Sequence, residues 1–287
     1  VVAPGLACAF DTRTALPTSI RAGSAELLDR PAELTIWRAP TDNDRHIRAE
    51  WERAGYHWAT ARAESLEIVE PAQEGLVTLR GQIAMVAPTL QPALRGTITW
   101  IIRGDGDIDL ALDMTRAEGF PPLPRLGLRL FLPQAMDRVS YYGLGPGGAY
   151  ADKRRASRHG EFTASLPEFH EDHIKPQENG SHADCDYVAV VSGEDGAGGG
   201  GARLGLSAVG HHPFSFNASP YTAEELASRR HNTELVPCGS TVLTLDAAMA
   251  GIGSNSCGPA LAERYQVAAR DLSLALTLRA SSEEAVR

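Results

Sequence analysis

Gly96-Thr97-Ile98-Thr99-Trp100-Ile101-Ile102-Arg103-Gly104-Asp105-Gly106-Asp107-Ile108-Asp109-Leu110-Ala111-Leu112-Asp113-Met114 is the stretch that decides the fold. Apolar and polar residues alternate on either side of a Gly-Asp-Gly centre. That is the period of a half-buried strand and not of a helix. Arg103-Gly104-Asp105-Gly106-Asp107 between the two runs is a hairpin signal, since glycine adopts the backbone that a tight turn demands. The close aspartates invite comparison with a calcium loop. The further ligands and terminal bidentate Glu of an EF-hand do not follow, so the turn accounts for them.

Working outward, the same period recurs in Ser65 to Glu70, Val77 to Arg80 and Leu272 to Leu278. Arg125 to Leu132, ended by Pro133, and Thr241 to Asp246 read as further strands. Toward the N-terminus, Leu6 to Leu28 reads as hairpin strands with Leu16-Pro17 at a turn, and Leu34 to Trp37 as the next strand. Two short helices interrupt the pattern. Arg48 to Gly55 carries helix formers, ends on Gly and places Trp51 and Ala54 on one face. Thr222 to Leu226 fits a capping box with Thr222 at the N-cap and Glu225 as its partner. Short strands with turn punctuation and little helix predict an all-β fold, a sandwich or barrel, and its length suits one domain over 1–287.

Hydrophobic residues make up 43% and charged residues 22%, ordinary for a globular protein. A net charge of −9 argues against nucleic acid, whose binders carry a basic stripe. Cys8, Cys185, Cys238 and Cys257 show no CxxC spacing, which gives a zinc site little support. They are too sparse for a disulfide scaffold, and a reducing cytoplasm is the expected compartment. No stretch is long and apolar enough to span a bilayer as a helix. The chain begins Val1-Val2-Ala3-Pro4 without Met or a basic leader, and reads as a piece of a longer polypeptide.

The densest chemistry is Trp37-Arg38-Ala39-Pro40-Thr41-Asp42-Asn43-Asp44. Pro40 stops the preceding strand, and short polar side chains suit the turn after it. Asp42, Asn43 and Asp44 can touch a ligand or brace the loop, and bracing is the weightier reading for each alone. Tyr141 to Tyr150 is rich in glycine but lacks the Lys-Ser or Lys-Thr of a phosphate loop, so a strand-to-loop corner is expected. Pro176-Gln177-Glu178-Asn179-Gly180 and Gly251 to Pro259 are two further polar loops. His170, Asp172 and His173 raise the thought of a metal, a pattern common by chance. His211 and His212 read as corner residues ahead of Pro213, and Gly198 to Gly201 as a long hairpin loop.

Taken in order, Trp37 to Asp44, Tyr141 to Pro146, Pro176 to Gly180, Phe214-Ser215-Phe216-Asn217 with Ser219 and Tyr221, and Gly251 to Pro259 resemble a known family. They are similar to the C-terminal, small-chain domain of the large bacterial β-galactosidases of glycoside hydrolase family 2. The resemblance covers nearly the whole chain, and the Trp-Arg-Ala-Pro-Thr-Asp-Asn-Asp string is its specific part. It implies a large antiparallel β-sandwich of the galactose-mutarotase-like type beside a (β/α)8 catalytic barrel upstream in the same polypeptide. Two glutamates of that barrel would carry out retaining hydrolysis of β-galactosides such as lactose. This chain would hold no catalytic residue and no cofactor; the magnesium and sodium ions of the family would sit mainly in other domains. Its expected contribution is a pocket wall, with Asp44, Arg45, Asn255, Ser256 and Cys257 nearest the substrate. The full-length enzyme would be a homo-oligomer.

Three departures from the family pattern carry expectations of their own. Cys257 stands where some members have a tryptophan, and a thiol offers no broad face to a sugar, so stacking on the leaving group is expected to weaken. Only Arg45 to Glu50 separate the motif from Trp51, which shortens a loop that closes over the site in some members. Gly148 replaces a common Glu, and an arginine is missing from Ser181 to Tyr187; together these remove an internal ion pair of the family pattern. Outside this family, the competing expectation is a stand-alone carbohydrate-binding or aldose-epimerase-like sandwich using His211 or His212.

Overall fold

Strand pairing in the computed structural model, which describes residues 1–69, 75–193, 203–253 and 257–283, is antiparallel throughout. β1 (Val2–Ala3), β2 (Leu6–Asp11), β3 (Leu16–Ala22) and β4 (Ala25–Glu26) form a small meander. A second path begins with β5 (Arg30–Thr35), β6 (Thr60–Ile68), β7 (Leu76–Val86), β8 (Leu94–Arg103) and β9 (Asp107–Arg116). It continues through β10 (Arg125–Pro133), β11 (Arg138–Gly145), β12 (Arg158–Ser165), β13 (Ser181–Val191), β14 (Arg203–Ser219), β15 (Ser240–Met249) and β16 (Asp271–Glu283). The main sheet runs β12-β11-β13-β14-β16-β9-β8-β7-β6, and β15, β10 and β5 branch from β14. The result is the antiparallel sandwich expected.

The period-two reading predicts which side chains meet. Trp100 lies opposite Leu110, and Leu110 opposite Leu276. Ile98 lies opposite Leu112, and Leu112 opposite Leu274. All are buried, so consecutive strands lay apolar rows across one face of the main sheet. The small meander covers that face: the Trp100 indole donates to the Ala15 carbonyl at 2.9 Å, and Phe10 packs 5.5 Å from it. At the Gly-Asp-Gly turn Gly106 has φ +96°, and the Asp105 carboxylate accepts from its own turn at Asp107 N.

Two strand ends differ from expectation. Leu16-Pro17 opens β3 instead of turning, because Asp11 draws the turn one step earlier. Its carbonyl accepts from Ala15 N at 2.7 Å, its carboxylate holds Arg13, and Ala15 takes φ +58°. β5 ends at Thr35, short of Trp37, because the Thr35 hydroxyl takes both Trp37 N and Trp37 O at 3.2 Å. Side-chain bonding there replaces the ladder.

β14 changes partner along its length. Leu206 to Gly210 pair with β16, and Ser215 to Ser219 with β15. Between them its register with β13 jumps, from Val209 opposite Tyr187 to Phe214 opposite Cys185. His211 and His212 sit at that bulge, exposed, so the expected corner is a bend inside one strand. The first helix, α1 (Ile47–Arg53), follows the motif directly and buries Trp51, whose indole donates to Pro122 O at 2.8 Å. The second, α2 (Ala223–Ser228), has Thr222 at its N-cap accepting from Glu225 N at 3.1 Å. The Glu225 carboxylate reaches Arg229 and Val236 N rather than closing the capping box. The Gly198–Gly201 tract and Glu70 lie outside the described residues.

Because Trp100 joins both layers, Trp100→Ala is expected to cost about 3–5 kcal/mol, and Trp100→Phe clearly less. Urea unfolding midpoints of the two variants against the parent chain check this. A loss below about 1 kcal/mol for the alanine variant would contradict the packing described.

Candidate functional site

The Trp37–Asp44 motif folds as an extended entry followed by a single turn of 3-10 helix at Asp42–Asp44. Arg38 is fully buried, and every direction of its guanidinium is used. Nε and Nη2 donate to the two Asp44 oxygens at 3.2 and 2.7 Å. Nη1 donates to Ala250 O at 2.6 Å and Nη2 to Gly251 O at 3.0 Å. Trp51 covers its face, 5.5 Å from the ring centre. Asp44 also accepts from Thr41 N at 2.9 Å, so it both caps the turn and neutralises the arginine. Asn43 reaches outward from the same turn and donates to Ile252 O at 2.7 Å and Gly253 O at 3.0 Å.

The other polar loops close on this one. Glu178 N donates to Ala39 O at 3.0 Å, and Asp42 N donates to the Gln177 side chain at 3.1 Å. Asn217 on β14 donates to Asn179 O at 2.6 Å. Beneath them lies a second buried charge group. Arg125 at the start of β10 pairs bidentately with Asp246 on β15, at 2.9 and 2.6 Å, with Glu178 3.7 Å away. Tyr150 donates to Glu178 at 3.2 Å. Gly127 is needed here, because a Cβ at that position would lie 2.2 Å from Asp246 Oδ1.

Burial pushes Glu178 and Asp246 above the usual carboxylate range, although Arg125 pulls both the other way. Burial also works against the charge of Arg125, but Asp246 and Glu178 outweigh it and hold that group above its ordinary value. Tyr150 is raised by burial and by Glu178 beside it. These groups are structural charges in a low-dielectric interior, each satisfied by another.

Between α1 and the loop after β15 lies a cavity of about 250 Å³. Asn43, His46, Glu50 and Trp51 line it on one side, Ile252 and Leu261 on the other. Arg45 and Cys257 are exposed beside this region of the chain, whereas Asp44 is buried and its carboxylate is fully engaged. Asn255 and Ser256 lie outside the described residues. Asp42 is exposed and paired with Lys175 at 3.0 Å. What the arrangement offers is a braced rim with a partly apolar hollow, suited to shaping a pocket.

The histidines do not gather. His170 packs at a tilt against Tyr221, Asp172 accepts from Asn232, and His211 meets Thr277 at 3.0 Å. Among the described residues no group of three His, Cys, Asp or Glu is placed to hold a metal ion. Glu171 Oε1 lies 2.8 Å from where a Cβ on Gly148 would stand, and pairs with Lys153 at 3.4 Å. Motif reading missed Arg125, Asp246, Asp152 and Glu171. The first two carried a signal, a charge set in a largely apolar strand; the others carried none.

Two predictions follow from the buried charges. Asp44→Ala leaves Arg38 unpaired and is expected to cost about 3–5 kcal/mol, against less than about 0.5 for exposed Asp172→Ala. Urea titration of both variants decides it. Glu178 binds its proton more tightly folded than unfolded, so its protonated form favours the native state. That contribution is present below the ordinary value of 4.5 and declines as pH rises toward the folded value. Glu178→Gln should therefore gain stability relative to the parent as pH rises from about 5 toward neutral. A constant difference across that range in paired denaturation curves would refute it.

A β-galactosidase of Staphylococcus xylosus is 38% identical over 244 residues, covering 85% of this chain and 23% of that protein. One of Actinobacillus pleuropneumoniae is 39% identical over 247 residues, covering 86% of this chain and 23% of that protein. The chain thus spans about a quarter of the length of these relatives. A galactose mutarotase related enzyme of Lactobacillus acidophilus aligns with a TM-score of 0.46 at 7% identity, over 100% of this chain and 99% of that one. The family model described as beta galactosidase small chain matches residues 3–278, which takes in all the polar loops braced around Arg38. On that match, the chain belongs to the β-galactosidase small-chain family.

Proposed function

We propose that this chain builds one wall of the pocket of a β-galactosidase that releases terminal non-reducing β-D-galactose from β-galactosides such as lactose. The observation that carries the reading is the family match over residues 3–278 in a chain spanning about a quarter of its relatives. The polar groups of the motif support it, since Arg38, Asn43 and Asp44 are taken up in bracing. The catalytic carboxylates belong to a (β/α)8 barrel elsewhere in the same polypeptide, and so do the ions of the family. The whole enzyme acts in the cytoplasm as a homo-oligomer, with this chain contributing a single sandwich unit.

In this reading the rim at Arg45 and the exposed edge at Cys257 face the sugar and its leaving group. Asp44 acts through Arg38, by holding the loop at Ala250 and Gly251 in place. Cys257 supplies no aromatic face, so the leaving group relies on contacts from the rest of the enzyme. The helix α1 directly after the motif replaces a long closing loop with a packed element.

The purified chain is expected to show no turnover of nitrophenyl β-galactoside or lactose, and to support turnover once joined to its barrel. Turnover by the chain alone, or equal activity of the barrel with and without it, would overturn the proposal.

A further inference from the structure

Ala250, Gly251, Ile252 and Gly253 leave β15 without joining a sheet, yet all their backbone polar groups have partners. Ala250 N and Gly251 N donate to Pro124 O and Tyr265 O, at 3.0 and 2.8 Å. The four carbonyls accept from Arg38 and Asn43. The last two N–H groups, those of Ile252 and Gly253, donate to the Asp152 carboxylate at 3.0 and 2.6 Å. Loop backbone ordinarily gives such groups to water. Here a carboxylate takes two successive amides, a charge-assisted arrangement stronger than a neutral one.

Asp152 belongs to the tight turn between Tyr150 and Lys153, whose backbones bond each other at 3.1 and 3.0 Å. Tyr150 is buried against Glu178, so the turn is anchored in the charged interior. The two glycines make room for the carboxylate: a Cβ on Gly251 would lie 2.6 Å from Asp152 Cγ, and one on Gly253 would lie 2.6 Å from Oδ2. Asp152 and Asn43 therefore grip the same two residues, Ile252 and Gly253, from different segments, one by their N–H groups and the other by their carbonyls.

We infer that Asp152 is a positioning residue: with Asn43 it fixes the backbone of Ile252 and Gly253 in the pocket wall, and so the fit of the leaving group of the β-galactoside. The inference rests on the reading of this loop as pocket wall. Asp152 acts through backbone and touches no substrate. Its loss should therefore fall on KM for the whole disaccharide more than on the chemical step.

In the enzyme comprising this chain and its barrel, Asp152→Ala is expected to raise KM for lactose about tenfold while kcat changes less than about threefold. Asp152→Asn keeps one acceptor oxygen and should give an intermediate KM, which also serves where the alanine variant does not fold. A second readout is independent of activity: a nitroxide on exposed Cys257 of this chain, in a Cys238→Ser background. Its spectrum should narrow in Asp152→Ala and not in the surface control Asp172→Ala. Unchanged line shape and unchanged KM overturn the inference. A narrowed spectrum with unchanged KM upholds Asp152 as the holder of the loop and overturns the wall reading instead.

Discussion

One buried guanidinium ties the polar loops of this protein together. Arg38 has lost its water, and a cation so placed must find all its hydrogen bonds in protein. The planar fork reaches the Asp44 carboxylate on one side and two carbonyls some two hundred residues away on the other. A lysine could match the charge but not that geometry. Because an unpaired buried charge is so costly, the turn at Asp42–Asp44 and the loop at Ala250–Gly253 can only coexist in this relation. The motif is thus a joint between two ends of the chain.

The second group extends the same logic into the sandwich. Arg125 and Asp246 face each other across β10 and β15, with Gly127 leaving space for the carboxylate. Glu178 stands between the groups: its backbone N–H bonds Ala39 beside Arg38, while its side chain faces Arg125 and Tyr150. Two guanidiniums and three carboxylates leave an excess of negative charge in the interior. Burial relieves this by favouring the protonated form of a carboxylate, the direction seen for Glu178 and Asp246.

The sandwich was legible wherever a residue's fate depends on its immediate neighbours. Trp100, Leu110 and Leu112 alternate with polar partners, so their common face could be read without knowing what covers it. The cap at Thr222 is local in the same sense. Legibility failed where a side chain bonds nearby backbone in place of the ladder, and where one strand changes partner. Thr35 takes over the backbone of Trp37, Asp11 pulls the first turn away from Pro17, and β14 exchanges β16 for β15 at His211. The family resemblance foretold the sandwich, but not that Asp44 is buried against Arg38 or that the Glu171 carboxylate lies against Gly148. Those are facts of convergence in space, and no window along the chain contains them.

The same convergence supplies what a pocket wall, the role proposed for these loops, requires. Reaction rates depend on geometry at the scale of a fraction of an ångström, and a wall that wanders wastes binding energy on ordering itself. A loop rich in glycine is a poor wall by composition, since glycine has the most backbone freedom to lose. Here that freedom is removed from outside, by Arg38, Asn43 and Asp152 bonding backbone rather than side chains. The glycines let the Asp152 carboxylate approach the backbone closely, and the bonds from all three groups then hold it still.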